Sequence, residues 1–120
     1  MPAAPPSAAL PVPAPLYFVE CDFGRIGRTF IECDRDRSSH AQVVGDIAAG
    51  EIERPLVVLE VIEAENACRD VTEDIAREVH ERLRRQGSGC PARLRDFIDR
   101  YVGLSEADRL DAGAGVLERA

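Results

Sequence analysis

Glu20, Asp22, Glu32 and Asp34 fall at alternate positions on two short segments separated by Gly24-Arg25-Ile26-Gly27. Alternate residues of a strand point to the same side of a sheet. A hairpin with the glycines in its turn therefore sets the four carboxylates on one surface, with Tyr17, Val19, Cys21, Thr29, Ile31 and Cys33 on the other. Such an oxygen-only group can bind a divalent cation, hold one carboxylic acid protonated near neutral pH, or present a negative surface to a basic partner. It also matches the solvated polar face of a sheet whose other side is covered by helices.

A second charged group has the opposite sign. Arg82, Arg84, Arg85, Arg93 and Arg95 gather around the connection 86–91, so this corner is expected to be locally positive and able to meet a phosphate, a nucleic acid or the acidic face of a second copy. Two helices joined by a short Gly-containing turn fit a helix-turn-helix outline. Against it stand Asp96 and Asp99 in the second helix and a pI near 4.8, the reverse of a DNA-binding footprint.

The remaining chemistry-bearing residues are scattered. Cys21, Cys33, Cys68 and Cys90 are too widely spaced for the paired ligands of a zinc site, and they read as reduced thiols. His40 and His80 belong to no H-x-x-x-H or H-E-x-x-H pattern, and only a Cys68–His80 dyad assembled in space would make a nucleophile. All fifteen basic residues are Arg, so lysine-dependent P-loop, Schiff-base and Ser-Lys chemistry is absent from this chain. Gly24-Arg25-Ile26-Gly27-Arg28 lies between two strands, where a phosphate-cradling loop would require a following helix.

These groups need elements to position them. With 120 residues, 45% hydrophobic and 31% charged, the chain suffices for one modest core. No apolar run approaches the ~20 residues of a membrane span, and the six prolines of the first fifteen residues, with no Lys or Arg, do not make a secretory signal. Residues 1–15 read as a disordered Pro/Ala-rich tail, 16–112 as a single α+β domain, and 113–120 as a frayed end. Tyr17 to Asp22 and Arg28 to Cys33 form the hairpin. Ser38 or Ser39 caps a helix that Gly50 ends. The run Leu56 to Ile62 is expected to be the most buried strand. After a loop over 65–69, Asp70 caps the best helix, whose stripe is Val71, Ile75, Val79 and Leu83, with Glu73–Arg77, Glu78–Arg82 and Glu81–Arg85 pairs outside. Pro91 opens a helix carrying Leu94, Phe97, Ile98, Tyr101 and Val102, and Ser105 caps a last short helix through Leu110. The order β-β-α-β-α-α predicts a small three-stranded sheet with helices packed on one face.

The segments Tyr17 to Arg28 and Arg69 to Ala76 resemble a group of short, uncharacterised bacterial proteins sharing a D-x-G-x-x-G-R hairpin and an R-D-V-[ST]-E-D-I-A helix start. That resemblance implies a bacterial, cytoplasmic setting and transfers no catalytic residue and no cofactor. The sequence therefore favours a non-enzymatic interaction or regulatory accessory module, acting on a protein partner or as a homodimer, away from membranes. A small metal-dependent enzyme on the acidic hairpin face and a nucleic-acid binder on the Arg82–Arg95 corner are the alternatives.

Overall fold

The computed structural model describes residues 15–33 and 39–119, with side chains to residue 114. The expected tail through residue 14 and Asp34, with the rest of the connection 34–38, lie outside the described residues.

The chain forms β1 (Leu16–Asp22), β2 (Arg28–Glu32), α1 (His40–Ala49), β3 (Pro55–Ile62), β4 (Ala67–Asp70), α2 (Thr72–Gln86), α3 (Arg95–Tyr101) and α4 (Glu106–Arg119). It is an α+β protein whose sheet has four strands in the order β2-β1-β3-β4, all antiparallel, so the expected three-stranded sheet gains a member. The added strand replaces the predicted loop over 65–69. A short helical turn at Glu63–Glu65 closes on Asn66, at φ 49°, a left-handed conformation that Asn tolerates better than most residues. The chain then returns along β3, from Ala67 opposite Ile62 to Asp70 opposite Leu59. Short, charged and at the edge, β4 shows none of the apolar alternation by which strands are recognised.

The hairpin has the predicted parity. Val19 faces Ile31 and Cys21 faces Thr29, and the Cys33 N–H reaches the Tyr17 carbonyl at 2.9 Å. The Asp22 carboxylate accepts the Gly24 N–H at 2.9 Å, and Gly24 and Gly27, at φ 69° and 101°, supply the backbone angles of the turn.

Helix ends follow their local chemistry with two departures. The Ser39 hydroxyl accepts the Gln42 N–H at 3.0 Å and Gly50 closes α1 in the left-handed region, as expected. Asp70, however, is the last residue of β4 and not the cap of α2. Val71 still donates its N–H to the Val58 carbonyl, and the helix starts at Thr72, whose N–H the Asp70 carboxylate accepts at 3.0 Å. The Thr72 hydroxyl, buried, accepts the Val58 N–H at 2.9 Å and donates to the same carboxylate. One side chain thus continues the sheet's hydrogen bonding where β4 has ended. In the second departure, Ser105 lies at φ 69° and it is the Asp99 carboxylate that accepts the Ala107 N–H at the start of α4, which continues past Leu110 to Arg119.

The core joins Tyr17, Val19, Cys21 and Val58 from the sheet to Val43, Val44 and Ile47 of α1, Ile75, Ala76, Val79 and Leu83 of α2, Phe97 and Ile98 of α3, and Ala107 and Leu110 of α4. The predicted stripe of α2 is this contact, with Val71 packing at its margin. β1 is the most buried strand, with four of its seven residues inside. β3, expected to hold that place, buries only Pro55 and Val58.

Candidate partner-docking surface

The reason lies in the second face of the sheet. Register puts Leu16 opposite Val61, Phe18 opposite Leu59, and Glu20 opposite Val57, one residue out of phase with the core-facing Tyr17, Val19 and Val58. Cys68 extends the first row, Glu32 and Asp70 flank the second, and Phe30 lies beside Glu20 in the third. Leu16 is buried yet outside the core cluster. Phe18, Val57, Leu59 and Val61 are half-buried, and Phe30 is 47% exposed. None of these five belongs to the core cluster or to the apolar side chains packed against it. A sheet face solvated in the usual way carries polar residues at these positions. Here an apolar patch runs along β3 and the first half of β1, and Glu20 stands between Val57 and Phe30 in the third row.

Glu20 and Glu32 share this face, Asp22 sits at the end of β1 where it also lines a cleft against α3, and Asp34 lies outside the described residues. They do not form the carboxylate cluster that alternation alone suggests. Phe30 and Phe18 occupy the positions opposite Glu20 and Glu32, Arg28 is opposite Asp22, and Asp22 is engaged by its own turn. Among the described residues no group of three or more His, Cys, Asp or Glu is arranged to hold a metal. The acids act instead as a negative fringe: Glu20 inside the patch, Glu32 and Asp70 at its margins.

Four of the five corner arginines are engaged within the chain. Arg84 donates to the Glu81 carboxylate at 3.0 Å, holding it below the usual carboxylate range, and Arg85 lies 3.8 Å from the same group. Arg93 donates to the carbonyls of Ile47 and Ala48 at 3.2 and 3.1 Å, closing the C-terminus of α1. Arg95 bridges Asp108 and Asp111 of α4. Arg82 lies so close to Gly45 of α1 that a β-carbon there would approach its guanidinium to 2.9 Å. Its expected partner, Glu78, pairs with His40 instead. The Glu73–Arg77 pair forms as predicted, at 2.9 Å.

Buried titratable groups are locked rather than activated. Tyr17 donates its phenol to Glu60, its cross-strand neighbour, at 2.6 Å, and burial followed by that carboxylate raises its pKa. Burial pushes the thiols of Cys21 and Cys90 up to about 11 and raises Cys33, the opposite of what a nucleophilic thiolate requires. All four cysteines are free. Cys68 is exposed on the open face, whereas His80 sits in the helical layer against Glu106 at 3.2 Å, so the two form no dyad. A cleft of about 290 Å³ lies between β3 and α3, but its charged lining is mixed: Asp22 and Asp96 accompany Arg54, Arg93 and Arg100, and Arg93 is already committed to α1.

No known family, curated protein or solved structure matches the chain. The apolar patch is thus the feature from which function must be argued. Reading the hairpin for its charges passed over Phe18 and Phe30. The sequence did hold a marker in Leu56 to Ile62: a nearly unbroken apolar strand has two apolar faces, and the helices here cover one.

Proposed function

We propose that this protein is a non-enzymatic interaction module that docks a protein partner on the open face of its sheet. One observation carries the reading: Phe18, Phe30, Val57, Leu59 and Val61 form an apolar surface outside the core of an antiparallel sheet. Contiguous exposed apolar surface edged by polar groups is the usual mark of an interaction site. The acidic fringe of Glu20, Glu32 and Asp70, with a net charge of -7, favours a partner whose own apolar centre is edged by Arg or Lys. No helix among the described residues is long and apolar enough to cross a membrane. A bacterial, cytoplasmic partner is the reading that the resemblance supports.

A photo-crosslinking side chain placed at Val57 tests this, with one at Arg77, on the solvent side of α2, as the control. The Val57 probe is expected to give a discrete adduct in cells that Leu59→Asp abolishes, while the Arg77 probe gives none. Equal adducts from both positions, or none from Val57, would remove the open face from the function.

A further inference from the structure

The edge of the sheet carries a separate argument. In an antiparallel ladder, residues facing each other alternate between pairs that exchange both backbone hydrogen bonds and pairs that exchange none. The bonds from Cys33 N–H to Tyr17 carbonyl and from Phe23 N–H to Gly27 carbonyl, each 2.9 Å, fix that alternation for β1 and β2. The odd residues of β2, Thr29 and Ile31, bond inward to β1. Arg28, Phe30 and Glu32 therefore direct their N–H and C=O groups outward, and no strand among the described residues lies beyond β2. The opposite edge, β4, has four residues, three of them exposed and including Arg69 and Asp70, and so is protected in the usual manner. β2 carries charge only at its two ends, with opposite signs.

The sequence Arg28-Thr29-Phe30-Ile31-Glu32 is self-complementary under a two-fold axis through Phe30. Antiparallel pairing of two copies with Phe30 opposite Phe30 places Arg28 of each chain opposite Glu32 of the other. It is the register in which all three outward-facing residues meet outward-facing partners. Shifting by one pairing step loses one of the three and both charge matches. Among the described residues neither charge has an ion-pair partner. Asp22, across from Arg28, is turned to the Gly24 N–H. The two phenyl rings meet on the open face, where each is already about half exposed.

We infer that two copies of this chain pair through β2, joining their sheets into one eight-stranded antiparallel sheet with Phe30 at the two-fold axis and two reciprocal Arg28–Glu32 ion pairs. Closed two-fold pairing of identical edges satisfies both partners and leaves only the protected β4 edges outward. It also joins the two open faces into one surface. The inference stands on the edge, not on the docking reading of the face.

The test is the solution mass of the full-length chain by light scattering, with Arg28→Glu, Glu32→Arg and their double variant, each checked for native circular dichroism. The wild type is expected at twice 13.1 kDa. Each single reversal sets like charges opposite each other twice and should weaken self-association by roughly tenfold or more, and the double variant should restore it. An equimolar mixture of the two single variants should form a heterodimer, because every charge then meets its opposite. A wild-type monomer would overturn the inference. So would a dimer indifferent to both reversals, or single variants that weaken without recombining on mixing.

Discussion

Thr72→Val should cost more stability than Thr72→Ser, although valine nearly preserves the volume of threonine and serine does not. Thr72 is 2% exposed and Val58 is fully buried. The Thr72 hydroxyl is the acceptor for the Val58 N–H at 2.9 Å and donates to the Asp70 carboxylate. Valine leaves that amide buried without an acceptor, a loss of about 1–3 kcal/mol, and removes a hydrogen bond to a charged group. Serine keeps both bonds and gives up one buried methyl, about 0.8 kcal/mol for the transfer term. Val and Ser have similar intrinsic helix propensities, so the first position of α2 does not itself separate them. Equilibrium urea unfolding measures the difference. With a slope of about 1–3 kcal/mol per molar for a small protein, the valine variant should shift its midpoint by on the order of 1 M, and the serine variant by about half of that or less. If serine proves the more damaging, side-chain volume and not hydrogen-bond continuity governs the junction of β4 and α2, and the argument fails.

Arg93→Met keeps the aliphatic stem but removes the donors to the Ile47 and Ala48 carbonyls, and is expected to lower stability by about 1.5–3 kcal/mol in thermal or urea unfolding. Asp111 accepts the Cys90 N–H at 2.8 Å and, next, a bond from Arg95, and these hold its carboxyl below the usual range. Because its folded pKa is depressed, its contribution is present above the unfolded value of about 3.9 and is lost as pH falls through the folded value. Asp111→Asn should therefore flatten the loss of stability on acidification, read as unfolding midpoints between pH 5 and 2, and an unchanged slope would contradict the assignment.

The legibility of the fold in the sequence tracked how far local chemistry decides each element. The Ser39 cap, the Gly50 stop, the hairpin parity and the Ile75–Val79–Leu83 stripe depend on neighbours a few residues away, and the structure has them where spacing puts them. β4 was not legible, because an edge strand borrows its order from the strand beside it and Cys68-Arg69-Asp70 carries no apolar period of its own. The same dependence on context misled the reading of Asp70, a residue type that caps helices often enough to be assigned there by default. Glu20 and Glu32 were placed on the correct side, but alternation says which residues share a face, not which of them dominate it. Their surroundings were decided by β3, more than twenty residues downstream, through Val57, Leu59 and Val61. Likewise the clustering of Arg82 to Arg95 in sequence was real, and pairing with Glu81 within α2 and tertiary contacts with α1 and α4 engage four of its five arginines.

The position of β1 between β2 and β3 also constrains how the chain folds. Its first partner follows after a turn of five residues, from Phe23 to Gly27, but its second, Val61 opposite Leu16, lies forty-five positions away. On a ribosome the hairpin emerges early with one side of its inner strand unpaired, and it waits for α1 and the whole of β3 before the sheet can close. Pairing of such separation is slow relative to helix formation and leaves an adhesive edge exposed meanwhile. The step that limits folding should accordingly be the docking of β3 against β1, with α2 consolidating afterwards on the Val58–Thr72 junction.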